Sequence, residues 1–150
     1  MGFDYKTTNT DLFFGGINVF ATDIAVGQFR GEYEAEYPDE FGFNRFSIGF
    51  VGSPGDLYAN NDDASFMLGR AGAEASYFYT FAELEKLVRL PQSWTFRLAA
   101  TAQATGDRLT STEQLLSGGY ATVRGYDESI VRSDSGLIVN LELISPEFSV

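Results

Sequence analysis

Between Phe29 and Tyr37 every second residue is Phe, Gly, Tyr, Ala or Tyr, and the residues between them are Arg30, Glu32, Glu34 and Glu36. Successive side chains of an extended chain point to opposite sides, so this stretch folds as a strand with one apolar and one charged face. A helix would scatter the same charges around its circumference. Other segments repeat the pattern. Phe46, Ile48 and Phe50 alternate with Arg45, Ser47 and Gly49, and Ala71, Ala73, Ala75, Tyr77, Tyr79 and Phe81 alternate with Arg70, Gly72, Glu74 and Ser76. Trp94, Phe96, Leu98, Ala100, Ala102 and Ala104 alternate with Thr95, Arg97, Thr101 and Gln103, as do Leu137, Val139, Leu141 and Leu143 with Asn140 and Glu142. Phe3 and Tyr5 oppose Asp4 and Lys6 at a strand end over residues 1–8. The expected fold is all-β and antiparallel, with about six strands.

The solvent that the apolar face meets decides between a soluble sandwich and a membrane wall. Soluble strands run about 5 to 6 residues, whereas several here can be followed for the roughly 9 to 11 that a tilted membrane strand needs. Connections alternate between a short turn at 38–42 and long loops at 53–65 and 106–135, as between the two sides of an outer-membrane barrel. Tyr37, Tyr77, Tyr79, Phe81, Trp94 and Phe96 fall at strand ends beside the short turns and predict an aromatic girdle there. No apolar run is long enough for a membrane-spanning helix, so only a closed barrel could place this chain in a bilayer. Six strands leave edge groups unpaired in lipid, which makes them part of a larger wall. Met1 to Lys6 lacks the basic start and apolar stretch of a signal peptide and reads as mid-strand, which predicts a fragment of a longer protein.

In this reading Arg30, Glu32, Glu34, Glu36, Arg45, Arg70, Glu74, Arg97 and Glu142 face a watery lumen. Residues 9–23, with Gly15-Gly16 at their centre, read as a loop, or as a turn at 7–11 followed by another short strand. Glu83, Leu84, Leu87 and Val88 extend the strand before them or form a helical turn.

Composition removes most catalytic chemistry. With no His and no Cys there is no Ser-His-Asp triad, imidazole or thiolate metal site, or thiol chemistry, and the expectation is a non-enzyme without cofactor or metal. A formal charge of -11 argues against nucleic acid, which needs a basic face. Asn60, Asn61, Asp62 and Asp63 lack the ligand spacing and closing Glu of a calcium loop and read as a solvated loop. Glu32, Glu34 and Glu36 leave one soluble alternative, a β-sandwich carbohydrate-binding protein or hydrolase. Their position along one strand face does not suit carboxylates that must flank a sugar.

The loop at 106–135 carries Glu113-Gln114, Gly118-Gly119, Val123-Arg124-Gly125-Tyr126-Asp127 and Asp134-Ser135-Gly136 in order. Its glycines permit close backbone approach, and Arg124 places a rigid five-donor fork among them. This set resembles the Val-Arg-Gly-Phe/Tyr loop of outer-membrane secretion and assembly pores, most nearly the ShlB/FhaC/HecB haemolysin secretion/activation transporters of two-partner secretion. The resemblance implies a barrel of about sixteen strands, of which residues 1–150 form part, with the loop at about 106–135 folding inward. It further implies periplasmic POTRA domains, a plug helix, and the outer membrane of a Gram-negative-type bacterium with its lipid as surroundings. The implied function is export of a haemolysin- or haemagglutinin-like exoprotein in extended form, with activation of that cargo as an added role. A sister pore that assembles outer-membrane proteins shares the loop motif and stands as the alternative. In the family the loop arginine pairs with the acid of a Phe-x-Asp-x-Gly motif, which does not occur here before Val150.

Overall fold

The computed structural model describes residues 1–14, 17–118 and 131–146. The strands are β1 (Gly2–Phe14), β2 (Ile17–Asp39), β3 (Gly42–Pro54), β4 (Ser76–Arg89), β5 (Thr95–Thr105), β6 (Leu115–Ser117), β7 (Val131–Ser133) and β8 (Gly136–Ile144). One helix, α1 (Asp63–Gly69), lies between β3 and β4. Six strands form one sheet in the order β1-β2-β3-β4-β5-β8, and β6 pairs with β7 in a separate ribbon. The described residues are mostly antiparallel strand, and the sheet does not close on itself. This is the all-β wall that the alternation predicts, a fragment of a barrel.

Several boundaries differ from the sequence reading. Residues 9–14 and 17–23 are strand, in register from Gly2 opposite Arg30 to Phe14 opposite Ile17, with a register shift between Leu12 and Phe13. Apolar residues fall at both parities there, Leu12, Phe13 and Phe14 on one strand and Val19, Phe20 and Ala21 on the other, so no alternation marks the ladder that holds them. Asp62 and Asp63 form a helix start. Asp62 caps α1 by accepting from Ser65 N at 2.9 Å, and Asp63 accepts from Ala75 N at 2.8 Å. Residues 66–75 are therefore not strand; β4 begins at Ser76 and continues as strand through 83–88. The loop after β5 is not wholly irregular, because Leu115 to Ser117 pair with Ser133 to Val131.

The chain forms two compact units, the first made of Met1–Gly31, Phe50–Tyr79 and Thr105–Gln114. Its sheet face on the Gln28 and Tyr77 side is covered by its own loops. Phe66 from α1 and Leu109 are fully buried, with Tyr77 and Tyr79 beside them. The Tyr77 hydroxyl donates to Gln28 Oε1 at 2.6 Å, while the Arg70 guanidinium donates to Leu109 O at 2.6 Å. Asn61, also fully buried, ties the loop after β3 to β2: its Nδ2 donates to Ala25 O at 2.9 Å and its Oδ1 accepts from Leu57 N at 3.0 Å. The opposite face carries exposed rings. Phe50 covers Gly31 and stacks with Phe78 at 6.0 Å, and Phe3 meets Phe29 edge to face at 5.2 Å.

The second unit comprises Glu32–Gly49, Thr80–Ala104 and Leu115–Val150. Its tight turn at residues 40–41 is organised by Asp39, which accepts from Phe41 N at 2.9 Å, Gly42 N at 2.7 Å and Asn44 Nδ2 at 2.9 Å. Lys86 Nζ reaches the same carboxylate at 3.1 Å. These donors hold the Asp39 carboxyl at about 2, with Asn44 the largest cause. Gly42 is required by packing, since a Cβ there would overlap the Leu87 carbonyl oxygen. The next turn, after β4, is a short 3-10 segment at Pro91–Ser93, closed by Leu90 N donating to Trp94 O at 2.8 Å.

Candidate functional site

The second unit carries a charged ladder across five neighbouring strands. Arg45 on β3 engages Glu36 and Glu34 on β2, the latter at 3.7 Å, and reaches Glu85 on β4 at 3.6 Å. Glu85 also accepts from Arg97 on β5 at 2.7 Å, and Arg97 reaches Glu142 on β8 at 3.5 Å. Alternation makes this possible, because one parity on each strand places all these side chains on a single face. The pairing of β5 with β8 fixes one end directly: Arg97 lies opposite Glu142, Ala99 opposite Asn140 and Thr101 opposite Ile138.

Beside the ladder lies a cavity of about 300 Å³, lined by Glu32, Glu34, Glu83, Glu85, Ser47 and Asn140 among others. The other parity is apolar and turned to solvent. Tyr33 is 65% exposed, Leu137 69%, Leu141 65% and Leu143 62%, values that suit a surface meeting lipid rather than a protein core.

Glu34, Glu36, Arg45, Arg97 and Glu142 are joined in the ladder, and Glu32 lines the cavity next to it. Arg30, in the first unit, is half-buried on the Gln28 parity. Arg70 and Glu74 are not strand residues: Arg70 caps the C-terminus of α1, and Glu74 is exposed in the segment leading to β4. Gly118 follows β6 with φ 122, a conformation that favours glycine. Gly119, Val123, Arg124, Gly125, Tyr126 and Asp127 lie outside the described residues.

The β4 register is the main correction. Tyr77, Tyr79 and Phe81, expected in a lipid-facing girdle beside the short turns, are 4%, 7% and 8% exposed, and Phe78 is 53% exposed on the other side. In the first unit Tyr77 and Tyr79 turn inward because α1 and the loop at 105–114 make a core on that face. Glu85 shares the inward parity, and it is the ladder residue that the sequence reading missed. Glu113, which the sequence marks only as part of the loop motif, is buried. Its carboxylate, 1% exposed, binds Lys6 Nζ at 2.9 Å and accepts from the Tyr79 hydroxyl at 3.0 Å.

The model of the haemolysin secretion/activation protein ShlB/FhaC/HecB family matches residues 43–150. The chain belongs to this family. Searches of curated proteins and of solved structures gave no match. ShlB/FhaC/HecB proteins are outer-membrane transporters of two-partner secretion, and the family supplies the membrane context for the two-faced sheet. Among the described residues no helix is long and apolar enough to cross a membrane.

Proposed function

We propose that this chain is part of the barrel wall of a transporter that exports a haemolysin- or haemagglutinin-like exoprotein, in extended form, across the outer membrane of a Gram-negative-type bacterium. The observation that carries this reading is the contrast between the faces of the second unit, where the charged ladder lies opposite the exposed Leu137, Val139, Leu141 and Leu143. A pore for an unfolded chain needs a wet, polar lining and a lipid-compatible exterior, and bonds need be neither made nor broken. In this reading residues 1–150 form part of a larger barrel, Glu32, Glu34, Glu36, Arg45, Arg97 and Glu142 line its lumen, and the loop bearing Arg124 folds inward.

Site-specific photo-crosslinking in the complete transporter, with its exoprotein stalled in transit, tests the assignment. Probes at Glu32 and Thr101 should capture the exoprotein, and probes at Leu141 and Leu143 should capture lipid. Capture of exoprotein only from the leucine positions would overturn the reading. Arg124→Ala adds a second arm: it should leave the barrel inserted and heat-resistant while sharply reducing export, with Arg124→Lys restoring part of it.

A further inference from the structure

The cavity beside the ladder has a chemistry that the ladder does not use up. Ser47 is only 5% exposed, its Oγ has no hydrogen-bond partner, and it lines this cavity. A buried hydroxyl left unpaired costs free energy, so its position calls for a group that enters and bonds to it. The lining holds four carboxylates, Glu32, Glu34, Glu83 and Glu85, against the two guanidiniums Arg45 and Arg97. Both guanidiniums are already engaged by acids, while Glu83 takes part in none of those pairs. The surplus is therefore negative, and an anion is disfavoured. Among the described residues no acidic group is arranged to hold a metal ion.

Size and wall character narrow the ligand further. About 300 Å³ is the space of roughly ten waters, more than a small inorganic cation fills. Ala99 and Ile138 supply apolar wall next to the carboxylates. A long aliphatic stem with a cationic head suits such a site, because the stem lies along apolar surface while the head meets the acids. We infer that this cavity docks a lysine or arginine side chain of the polypeptide in transit, with Glu83 receiving the charge and Ser47 Oγ accepting a hydrogen bond from the head group. The inference rests on the reading of this face as the lumen wall and adds a preference for basic residues along the path.

The test is current block in planar lipid bilayers holding the complete transporter. The probes are a flexible peptide whose only charges are spaced arginines, the same peptide with citrulline in their place, and free arginine amide. Block is measured against each variant's own open current. The arginine peptide should block at about tenfold lower concentration than the citrulline peptide, and Glu83→Gln or Ser47→Ala should remove most of that preference. Equal block by both peptides, or a preference unchanged in both variants, would overturn the docking site while leaving the pore intact. Block by free arginine amide as strong as by the peptide would overturn the assignment to a polypeptide side chain. Absence of any open-channel current would defeat the pore itself, and the docking site with it.

Discussion

Lys6 Nζ lies 2.9 Å from Glu113 Oε1, joining residues 107 positions apart, and the other Glu113 oxygen accepts from the Tyr79 hydroxyl at 3.0 Å. The carboxylate is almost fully buried, whereas the Lys6 side chain is 44% exposed. Truncating the acid strands a buried hydroxyl and removes the anchor of the 105–114 segment, while exchanging Lys6 for another cation leaves both the Tyr79 bond and a charge partner for the buried carboxylate. Glu113→Ala should therefore cost about 1–3 kcal/mol, and Lys6→Arg about 1 kcal/mol or less. Limited proteolysis at residues 105–114 in the complete, membrane-inserted protein should rise clearly in the first variant and little in the second.

That anchor shows where the sequence was readable and where it was not. Alternation disclosed β2, β3, β5 and β8 with the correct parity, because Glu34, Ser47, Arg97 and Glu142 each sit between apolar neighbours. For β4 the rule that apolar residues face lipid gave the wrong side. Ala73, Ala75, Tyr77 and Tyr79 are buried against α1 and the 105–114 segment, a contact that depends on residues distant in sequence. Once β4 was inverted, Glu85 could not be seen as the link between Arg45 and Arg97. The helix was hidden because Asp62 and Asp63 read equally well as a solvated acidic loop.

Gly42 begins β3 with its Cα against the Leu87 carbonyl, where a Cβ would overlap backbone. Backbone cannot rotate away as a flexible side chain can, so Gly42→Ala must displace β3 or β4 at the turn. The expected cost is about 1–3 kcal/mol. Equilibrium unfolding of the complete barrel in urea would read it as a lowered midpoint, and Gly2→Ala, which meets nothing within 4 Å, serves as the neutral control.

Asp39 titrates at about 2, against 3.8 for a free side chain, and it lies at the short turn rather than within a spanning segment. The Asn44 amide is the largest cause, followed by Lys86, with the backbone N–H groups of Phe41 and Gly42 adding to them. A carboxyl with a depressed folded value stabilises fully above its unfolded value and loses that contribution as pH falls through the folded one. The Asp39→Asn variant should thus unfold more readily than wild type at pH 6, and the gap should narrow from about pH 4 to about pH 2. Unfolding midpoints measured at pH 6, 4, 3 and 2 provide the check. A gap constant across that range would remove Asp39 ionisation from the stability of the turn.

Asn140 and Leu141 are adjacent on β8 and point to opposite faces, Asn140 into the cavity and Leu141 outward opposite Leu98. Leu141 is 65% exposed, and its neighbours on that face, Val139 and Leu143, are also turned outward. If lipid covers this face, an arginine at Leu141 must bury its charge in hydrocarbon or draw water and headgroups inward. That costs about 2–4 kcal/mol near the bilayer midplane. At Asn140 the same side chain enters an acidic, hydrated space and should cost about 1 kcal/mol or less. Urea unfolding of the two variants in lipid vesicles would separate them, with Leu141→Arg lowering the midpoint and Asn140→Arg nearly unchanged. Similar losses at both positions would mean that the apolar face of β8 packs against protein rather than lipid.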